Sequence, residues 1–248
     1  MGRTTSDLAR TVGASRLREI ENFANFREGW WVKRIVRAGD NLAVLGFLIE
    51  RAVLGVLITN GTRFAGPEPE FNKAPKLQKF SGRFPNEAPQ RDSRLGIIYV
   101  PTVYSYTGVD AILAVCVKKK DMQSGSKTIV IGIQVTISNY HSDSEAAFMR
   151  SWQDWDELMA SNITIFRFIW IVETITEDMS EDWEDVQEKV VTRRGKRSIM
   201  HPAYQRRYIS LVAFDEEVGK CLEAARGGNS GVRPTFDGTR GRRKKLQS

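Results

Sequence analysis

The stretch that decides the fold is residues 109–138, which read VDAILAVCVKKKDMQSGSKTIVIGIQVTIS. Two almost continuous apolar runs, 109–117 and 128–138, flank a polar segment at 121–126 that is typical of a turn. Apolar residues at both odd and even positions predict strands that are covered on both faces. The two runs therefore predict a hairpin of central strands within a sheet.

Further elements extend outward from this hairpin in both directions. Asn41 is the predicted N-cap of a buried helix over 42–58, and Asn60-Gly61 is predicted to end that helix. After the hairpin, Ser142 or Ser144 is predicted to cap a helix that runs to about residue 160. The other predicted elements are strands at 76–80, 97–100, 163–172 and 208–214, and helices at 4–22, near Trp183 and at 215–225. The order helix, strand, strand, strand, helix, strand indicates an α/β fold with a central sheet flanked by helices.

Composition indicates a folded globular chain rather than a disordered one. Of the 248 residues, 41% are hydrophobic and 27% are charged. The two cysteines, Cys116 and Cys221, have apolar neighbours and are predicted to be buried thiols. Two cysteines with two distant histidines, His141 and His201, argue against a disulfide scaffold or a zinc site. Four of the six tryptophans are predicted to pack in the core rather than stack on bases: Trp152, Trp155, Trp170 and Trp183.

The positive charge is concentrated at the C-terminus. Seven arginines and lysines and one aspartate lie within 226–248, so this segment carries +6 of the net +7. Its composition predicts a disordered basic tail that binds nucleic acid or directs nuclear import, with a merely solubilising end as the alternative. The chain is thus divided into an N-terminal helical and aromatic extension at 1–39, a domain at 40–225 and the tail at 226–248. The candidate nucleic-acid contacts in the tail are Arg242, Arg243, Lys244 and Lys245.

A second basic segment, 193–207, follows an acidic stretch at 173–188. Its side chains either contact nucleic acid, form a solvated face or pair with the acidic stretch. The candidate nucleic-acid contacts here are Arg193, Arg194, Lys196 and Arg197.

Four polar residues interrupt otherwise apolar elements and are candidates for a site. Glu50 lies in the helix over 42–58, Asp110 starts the first strand of the hairpin, and Gln134 and Thr136 lie on the second strand. Each has a structural alternative: Glu50 pairs with Arg51, Asp110 forms a turn, and Gln134 and Thr136 satisfy hydrogen bonds in the core. Brought together, carboxylate and amide oxygens form the donor set that a hard divalent cation prefers.

These residues also carry a resemblance to a known family. Residues 99–110, YVPTVYSYTGVD, resemble a strand–proline–loop–Val-Asp pattern, and Gln134-Val135-Thr136-Ile137-Ser138 followed by His141 resembles a Gln-x-Thr…His segment. Both patterns are similar to the PD-(D/E)xK nuclease core of Crinkler-type and retrotransposon-hot-spot proteins, over roughly residues 40–175. The resemblance implies a restriction-endonuclease-like fold.

The resemblance also implies a function and a set of roles. It implies a Mg²⁺- or Mn²⁺-dependent nuclease acting on DNA, of effector type, in a nucleus. Glu50, Asp110 and Gln134 would bind the metal, and Thr136 or His141 would orient water or phosphate. Secretion follows only from the resemblance, since the polar start, MGRTTS, predicts no secretory signal.

The motif departs from the family pattern at two positions. Gln134 is neutral where an acid is usual, and Thr136 stands where a lysine is usual. The candidate replacement cations, chosen by proximity in sequence, are Lys118, Lys127 and Arg150. The alternative functions are therefore a catalytically inactive relative that binds DNA or a nuclear protein, or a purely structural domain.

The sequence predicts neither a membrane-spanning segment nor an NTP-binding site. The longest apolar stretch, 42–58, contains Glu50 and Arg51 and is too short and too charged for a membrane span. Gly125-Ser126-Lys127-Thr128 lacks the Gly-Lys pair and the upstream glycine of a phosphate-binding loop, so no NTP site is predicted.

Overall fold

A computed structural model describes residues 30–38, 41–66, 71, 75–80, 84–85, 96–101, 108–118, 126–137, 144–159, 163–187, 189–191 and 199–227. The helix predicted at 4–22 and the tail beyond residue 227 lie outside them. The described residues include nine strands: β1 Lys76–Phe80, β2 Ile97–Pro101, β3 Ala111–Lys118, β4 Ser126–Thr136, β5 Ile163–Val172, β6 Glu184–Val186, β7 Lys189–Val191, β8 Ile199–His201 and β9 Tyr204–Ser210. They include six α-helices: α1 Trp30–Arg37, α2 Leu42–Asn60, α3 Ser144–Met149, α4 Trp152–Met159, α5 Leu211–Phe214 and α6 Glu216–Gly227.

Seven strands form one mixed sheet in the order β1-β2-β3-β4-β5-β9-β6. Strand β3 is antiparallel to both of its neighbours, β2 and β4, while β5 runs parallel to β4 and β9 runs parallel to β5. Strands β7 and β8 form a separate two-stranded hairpin. The predicted α/β architecture, with a central mixed sheet flanked by helices, is confirmed.

The predicted hairpin is the pair β3 and β4. Ala111 lies opposite Ile133, and the register continues to Lys118 opposite Ser126. Alternate residues of β4 enter two different apolar layers: Ile131 and Ile133 face one side, and Val130 faces the other. Coverage of both faces explains why the apolar runs are nearly continuous.

The first layer is formed by α1, α2 and α6. Helix α2 is apolar on nearly all sides, and Leu45, Ile49 and Val53 are fully buried against the sheet. The predicted N-cap is confirmed, because Asn41 Oδ1 accepts a hydrogen bond of 3.2 Å from Val44 N. Ile35 of α1, from the predicted extension, is buried in this same layer.

The second layer is formed by α3 and α4, where a single helix was expected. The interruption falls at Ser151, whose Oγ donates a 2.8 Å hydrogen bond to Phe148 O. A serine that bonds back to a carbonyl competes with continued helix formation, and here a new helix begins at Trp152. Trp155 of α4 is fully buried beside Tyr99 and Phe148, in agreement with the core role predicted for it.

Two predictions on the C-terminal half are wrong. The helix expected near Trp183 is replaced by loop and by β6, because Glu184 to Val186 pair with β9 and extend the sheet. The strand expected at 208–214 begins earlier, at Tyr204, and ends at Ser210, whose Oγ accepts from Ala213 N and caps α5. Helix α6 then includes Arg226, the first residue of the predicted tail.

Candidate carboxylate site

Asp110 is positioned by the turn that leads into β3. Gly108 has a φ of 86°, and a Cβ added to it would lie 2.1 Å from Ser144 O. Only glycine therefore lets this turn approach the backbone of α3 so closely. Asp110 N then donates a 2.9 Å hydrogen bond to Ile133 O, which joins Asp110 to the hairpin ladder.

The carboxylate of Asp110 reaches across to β4. Its Oδ2 accepts 2.7 Å from Val135 N and 2.8 Å from Gln134 Nε2. Both bonds end on Oδ2, so Oδ1 takes part in neither. Asp110 is thus fixed between two strands rather than closing its own turn, and the turn-forming alternative does not describe its side chain.

Gln134 presents its amide nitrogen to Asp110. Nε2 also donates 3.2 Å to Val135 O, so two acceptors fix the orientation of the amide as placed. Thr136 lies two residues further along β4 and shares the face of Gln134. Trp170 of β5 is the parallel partner of Gln134, and Val172 is the partner of Thr136.

Glu50 approaches the site from helix α2. One turn earlier in that helix, a Cβ on Gly46 would lie 3.8 Å from Ile137, so this part of α2 lies against the end of β4. Arg51 Nε is 3.9 Å from Glu50 Oε1. The predicted ion pair of Glu50 with Arg51 is therefore present. The negative charge of Glu50 also raises the pKa of Asp110.

The surroundings of Glu50 and Asp110 raise the pKa of both carboxyl groups. Burial raises the pKa of Glu50 above 4.5, and the neighbouring Arg51 charge opposes that rise. The pKa of Asp110 is well above 3.8, first because of burial and second because the negative charge of Glu50 lies close by. The hydrogen bond from Val135 and the Arg51 charge only partly offset these effects. Two half-buried carboxyl groups that repel each other form a site with affinity for a proton or a cation.

The structure does not place the expected replacement cations at this site. Lys127 lies nine residues from Thr136 along β4, which is about 30 Å in an extended strand. Lys118 is opposite Ser126, at the same distant end of the hairpin. Arg150 follows α3 and has no contact with Glu50 or Asp110 among the described interactions. Among the described residues, the cation beside Glu50 is Arg51, which the sequence already offered as the partner of Glu50.

Several predicted contacts lie outside the described residues. They are His141, Arg193, Arg194, Lys196, Arg197, Arg242, Arg243, Lys244 and Lys245. Within the same basic segment, Arg206 pairs with Glu184 at 3.1 Å, and Arg207 donates to Glu181 O and Phe64 O. For these two arginines, the internal-pairing alternative is the one that the structure shows.

A second polar cluster was not predicted from the sequence. Glu145 in the first turn of α3 accepts a 2.9 Å hydrogen bond from Trp170 Nε1 and another from the hydroxyl of Tyr204. Arg206 lies 3.5 Å from the same carboxylate, and Tyr208 stacks on Trp170 with ring centroids 6.3 Å apart. Glu145 thereby joins α3 to β5 and β9, next to the strand that carries Gln134.

The donors at the site are oxygens, which suit Mg²⁺ or Mn²⁺. Among the described residues, no three His, Cys, Asp or Glu side chains come together as a metal site, so Glu50 and Asp110 are an acid pair without a third acid. In the same part of the chain, no helix is long and apolar enough to cross a membrane. Comparisons with protein-family models, with curated proteins and with solved structures found no match.

Proposed function

We propose that this protein is a Mg²⁺- or Mn²⁺-dependent nuclease that hydrolyses phosphodiester bonds, with DNA as the substrate, on a restriction-endonuclease-like core. The proposal is carried by the position of α2 against the end of β4, at Ile137, together with the effect of the Glu50 charge in α2, which raises the pKa of Asp110 at the start of β3. The order α2, β1, β2, β3, β4, α3–α4, β5 supports it, since β3 is antiparallel to β2 and β4, and β5 is parallel to β4. Apart from β1, this is the order of helix, three strands, helix and strand that the sequence predicts.

The residues present fit a divalent cation through their oxygens. Glu50 and Asp110 would hold it, with Gln134 Oε1 completing the set, and the bound ion would activate water and neutralise charge on the phosphate. The chain itself orients this ligand, because hydrogen bonds from Val135 N and Gln134 Nε2 hold the Asp110 carboxylate in one orientation. Thr136, on the same face of β4, would orient water or phosphate, as would His141.

The proposal also includes the family, the cellular role and the location of the protein. The Gln-x-Thr form at Gln134 and Thr136 supports membership of the Crinkler-type and retrotransposon-hot-spot group, and with it an effector role in a nucleus. The basic residues at 193–197 and 242–245 would contact the DNA backbone and support nuclear import. Secretion stays an implication of the resemblance alone.

One observation favours a second candidate, a catalytically inactive module that binds DNA or a nuclear protein. Gln134 directs its nitrogen, not its carbonyl oxygen, at Asp110, and so fills part of the space that a shared cation would need. An amide that neutralises the site by hydrogen bonding would stabilise the fold without a metal.

Calorimetric titration with Mn²⁺, paired with nicking of supercoiled plasmid, separates the two candidates. We expect wild-type protein to bind Mn²⁺ and nick DNA, and we expect Asp110→Asn to lose both activities while staying folded. DNA binding without Mn²⁺ binding or nicking would establish the inactive module instead.

A further inference from the structure

Arg226 lies at the end of β4, at the edge of the sheet that carries the carboxylate site. It belongs to the last turn of α6, and its Nη2 donates a 2.9 Å hydrogen bond to Ile137 O. Along the chain, Ile137 lies two residues beyond Val135, which is about 7 Å in extended backbone. The N–H of Val135 is one of the groups that bind the Asp110 carboxylate. Arg226 therefore brings a positive charge from another element to this sheet edge.

Glu173, which directly follows β5, is the ionic partner of Arg226. Its Oε2 lies 2.6 Å from Nη2, the same nitrogen that binds Ile137 O. The parallel register of β4 and β5 runs to Thr136 opposite Val172, so Ile137 and Glu173 come next to each other at this edge. Within the described part of the chain, Glu223 lies three residues earlier in α6 and forms no ion pair with Arg226. The guanidinium is thus held where α6 meets the ends of two strands.

The other donors of this guanidinium are available to a ligand. Among the described residues, Nε and Nη1 of Arg226 bind no acceptor, and the side chain is 41% exposed. Arginine keeps its charge in proteins and presents its N–H donors as a planar fork that fits two oxygens of a phosphate. Because two acceptors already hold Nη2, the side chain loses less conformational freedom on binding than an unattached arginine would.

The sequence that follows Arg226 favours an anionic partner at the same place. Helix α6 ends at Gly227, and residues 228–248 carry six arginines and lysines and one aspartate, a net charge of +5. This basic segment begins two residues after Arg226. A polyanion bound by the segment therefore has Arg226 as the neighbouring cation on the folded domain.

We propose that Arg226 is a contact for the phosphate backbone of a nucleic acid, with Nε and Nη1 as the donors. The inference rests on the proposed function for the identity of its ligand, but it requires no metal ion. Ile137 O and Glu173 hold the guanidinium in place without using these donors. Arg226 thereby holds the backbone of the substrate at the point where the folded domain continues into the basic segment.

The test measures the salt dependence of DNA binding by the full chain. Fluorescence anisotropy of a labelled DNA duplex gives the Kd at several KCl concentrations, with EDTA present so that no divalent cation takes part. For Arg226→Gln we expect binding to weaken about five- to tenfold at about 0.1 M salt, and the slope of log Kd against log [KCl] to fall by about one.

Lys220→Gln is the matched control for the loss of one positive charge. Lys220 is an exposed residue of the same helix, it pairs with Glu216, and it lies about 120° around the helix from Arg226. Its slope should stay close to that of wild type. An equal fall in slope for Lys220→Gln and Arg226→Gln would show that only the net charge of the protein matters, and would overturn the inference.

Two further variants separate a phosphate contact from a purely structural role. Arg226→Lys keeps the charge and should keep the slope of wild type. Glu173→Gln removes the ion pair but leaves Arg226 in place, so it should bind the duplex at least as tightly as wild type. If Arg226 only held α6 to the strands, Arg226→Gln and Glu173→Gln would both lower the melting temperature, and neither would change the slope.

The outcomes distinguish the inference from the function on which it rests. If wild type binds the duplex and Arg226→Gln keeps the wild-type slope, the inference is overturned and the proposed function stands. If wild type does not bind the duplex at any salt concentration, the nucleic-acid ligand itself is wrong and both proposals fall.

Discussion

Gln134 and Asp110 are joined across two antiparallel strands by a 2.8 Å hydrogen bond from the amide nitrogen to Oδ2. The residues are 24 positions apart, and the register that sets Ala111 opposite Ile133 brings them face to face. Because the donor is neutral, it stabilises the half-buried carboxylate without adding a charge. The bond therefore fixes the orientation of the Asp110 side chain. It also means that a charged residue in place of Gln134 would change the electrostatic environment of the carboxylate.

Replacing Gln134 by glutamate turns this donor into a third acid. In Gln134→Glu, the hydrogen bond is lost and two carboxylates face each other, so we expect the free energy of unfolding to fall by about 1–3 kcal/mol at neutral pH. A divalent cation would relieve that repulsion. Mn²⁺ at about a hundred times its Kd should restore about 2.7 kcal/mol. Urea unfolding with and without Mn²⁺ measures both effects.

Gln134→Met is the matched control for that experiment. It removes the same hydrogen bond without adding a carboxylate, so it should lose stability and gain less of it back from Mn²⁺ than Gln134→Glu does. Equal stability of Gln134→Glu and wild type without metal would show that the amide does not hold Asp110 as described.

Much of the fold follows from local signals. The hairpin of β3 and β4 is encoded in two apolar runs, and α2 is encoded in an apolar segment with Asn41 before it and Gly61 after it. The juxtaposition of Asp110 and Gln134 also follows once the hairpin register is known. Signals of this kind act within a few residues and are readable without tertiary contacts.

The parts that could not be predicted depend on distant partners. Residues 184–186 form a strand because β9 offers them an edge, and nothing in the acidic stretch itself encodes that pairing. Glu145 and Tyr204 meet although they are 59 residues apart. The nearness of Arg51 to Asp110 likewise depends on how α2 lies over the sheet, which a single helix pattern does not determine.

Stability should depend on pH through Asp110. Its pKa in the folded protein is well above 3.8, so the folded state holds the proton more strongly than the unfolded chain does. The resulting stabilisation is fully present below the unfolded pKa and is lost as pH rises through the folded pKa. As pH rises from about 4 through the raised pKa of the folded protein, wild type should therefore lose stability relative to Asp110→Asn. Urea unfolding of both proteins across this range measures the difference.

For Glu50→Gln we also expect a difference from wild type in the pH dependence of stability, with a definite sign. The pKa of Glu50 is also raised, and removing its charge lessens the repulsion felt by Asp110. Wild type should again lose stability relative to the variant as pH rises. Parallel pH curves for wild type and both variants would contradict the electrostatic coupling of the two acids.

Glu145 should matter more for stability than its partner Glu184. The side chain of Glu145 is 14% exposed; it accepts hydrogen bonds from Trp170 and Tyr204 and pairs with Arg206. The side chain of Glu184 is 40% exposed and pairs with Arg206. We expect Glu145→Gln to cost about 2–3 kcal/mol, because it weakens several partly buried contacts at once. Glu184→Gln should cost less than about 1 kcal/mol. Equal costs for the two variants, measured by thermal unfolding, would contradict the central role of Glu145.

Gly108 should be needed by both the fold and the site. Its φ of 86° disfavours any side chain, and an alanine Cβ would lie 2.1 Å from Ser144 O. We expect Gly108→Ala to cost about 2–4 kcal/mol and to weaken Mn²⁺ binding, because the displaced turn carries Asp110 with it. Gly227→Ala is the matched control, since a Cβ there would meet nothing within 4 Å, and its effect should stay within about 1 kcal/mol. If Gly108→Ala lost stability but bound Mn²⁺ as tightly as wild type, the position of Asp110 would not depend on this turn.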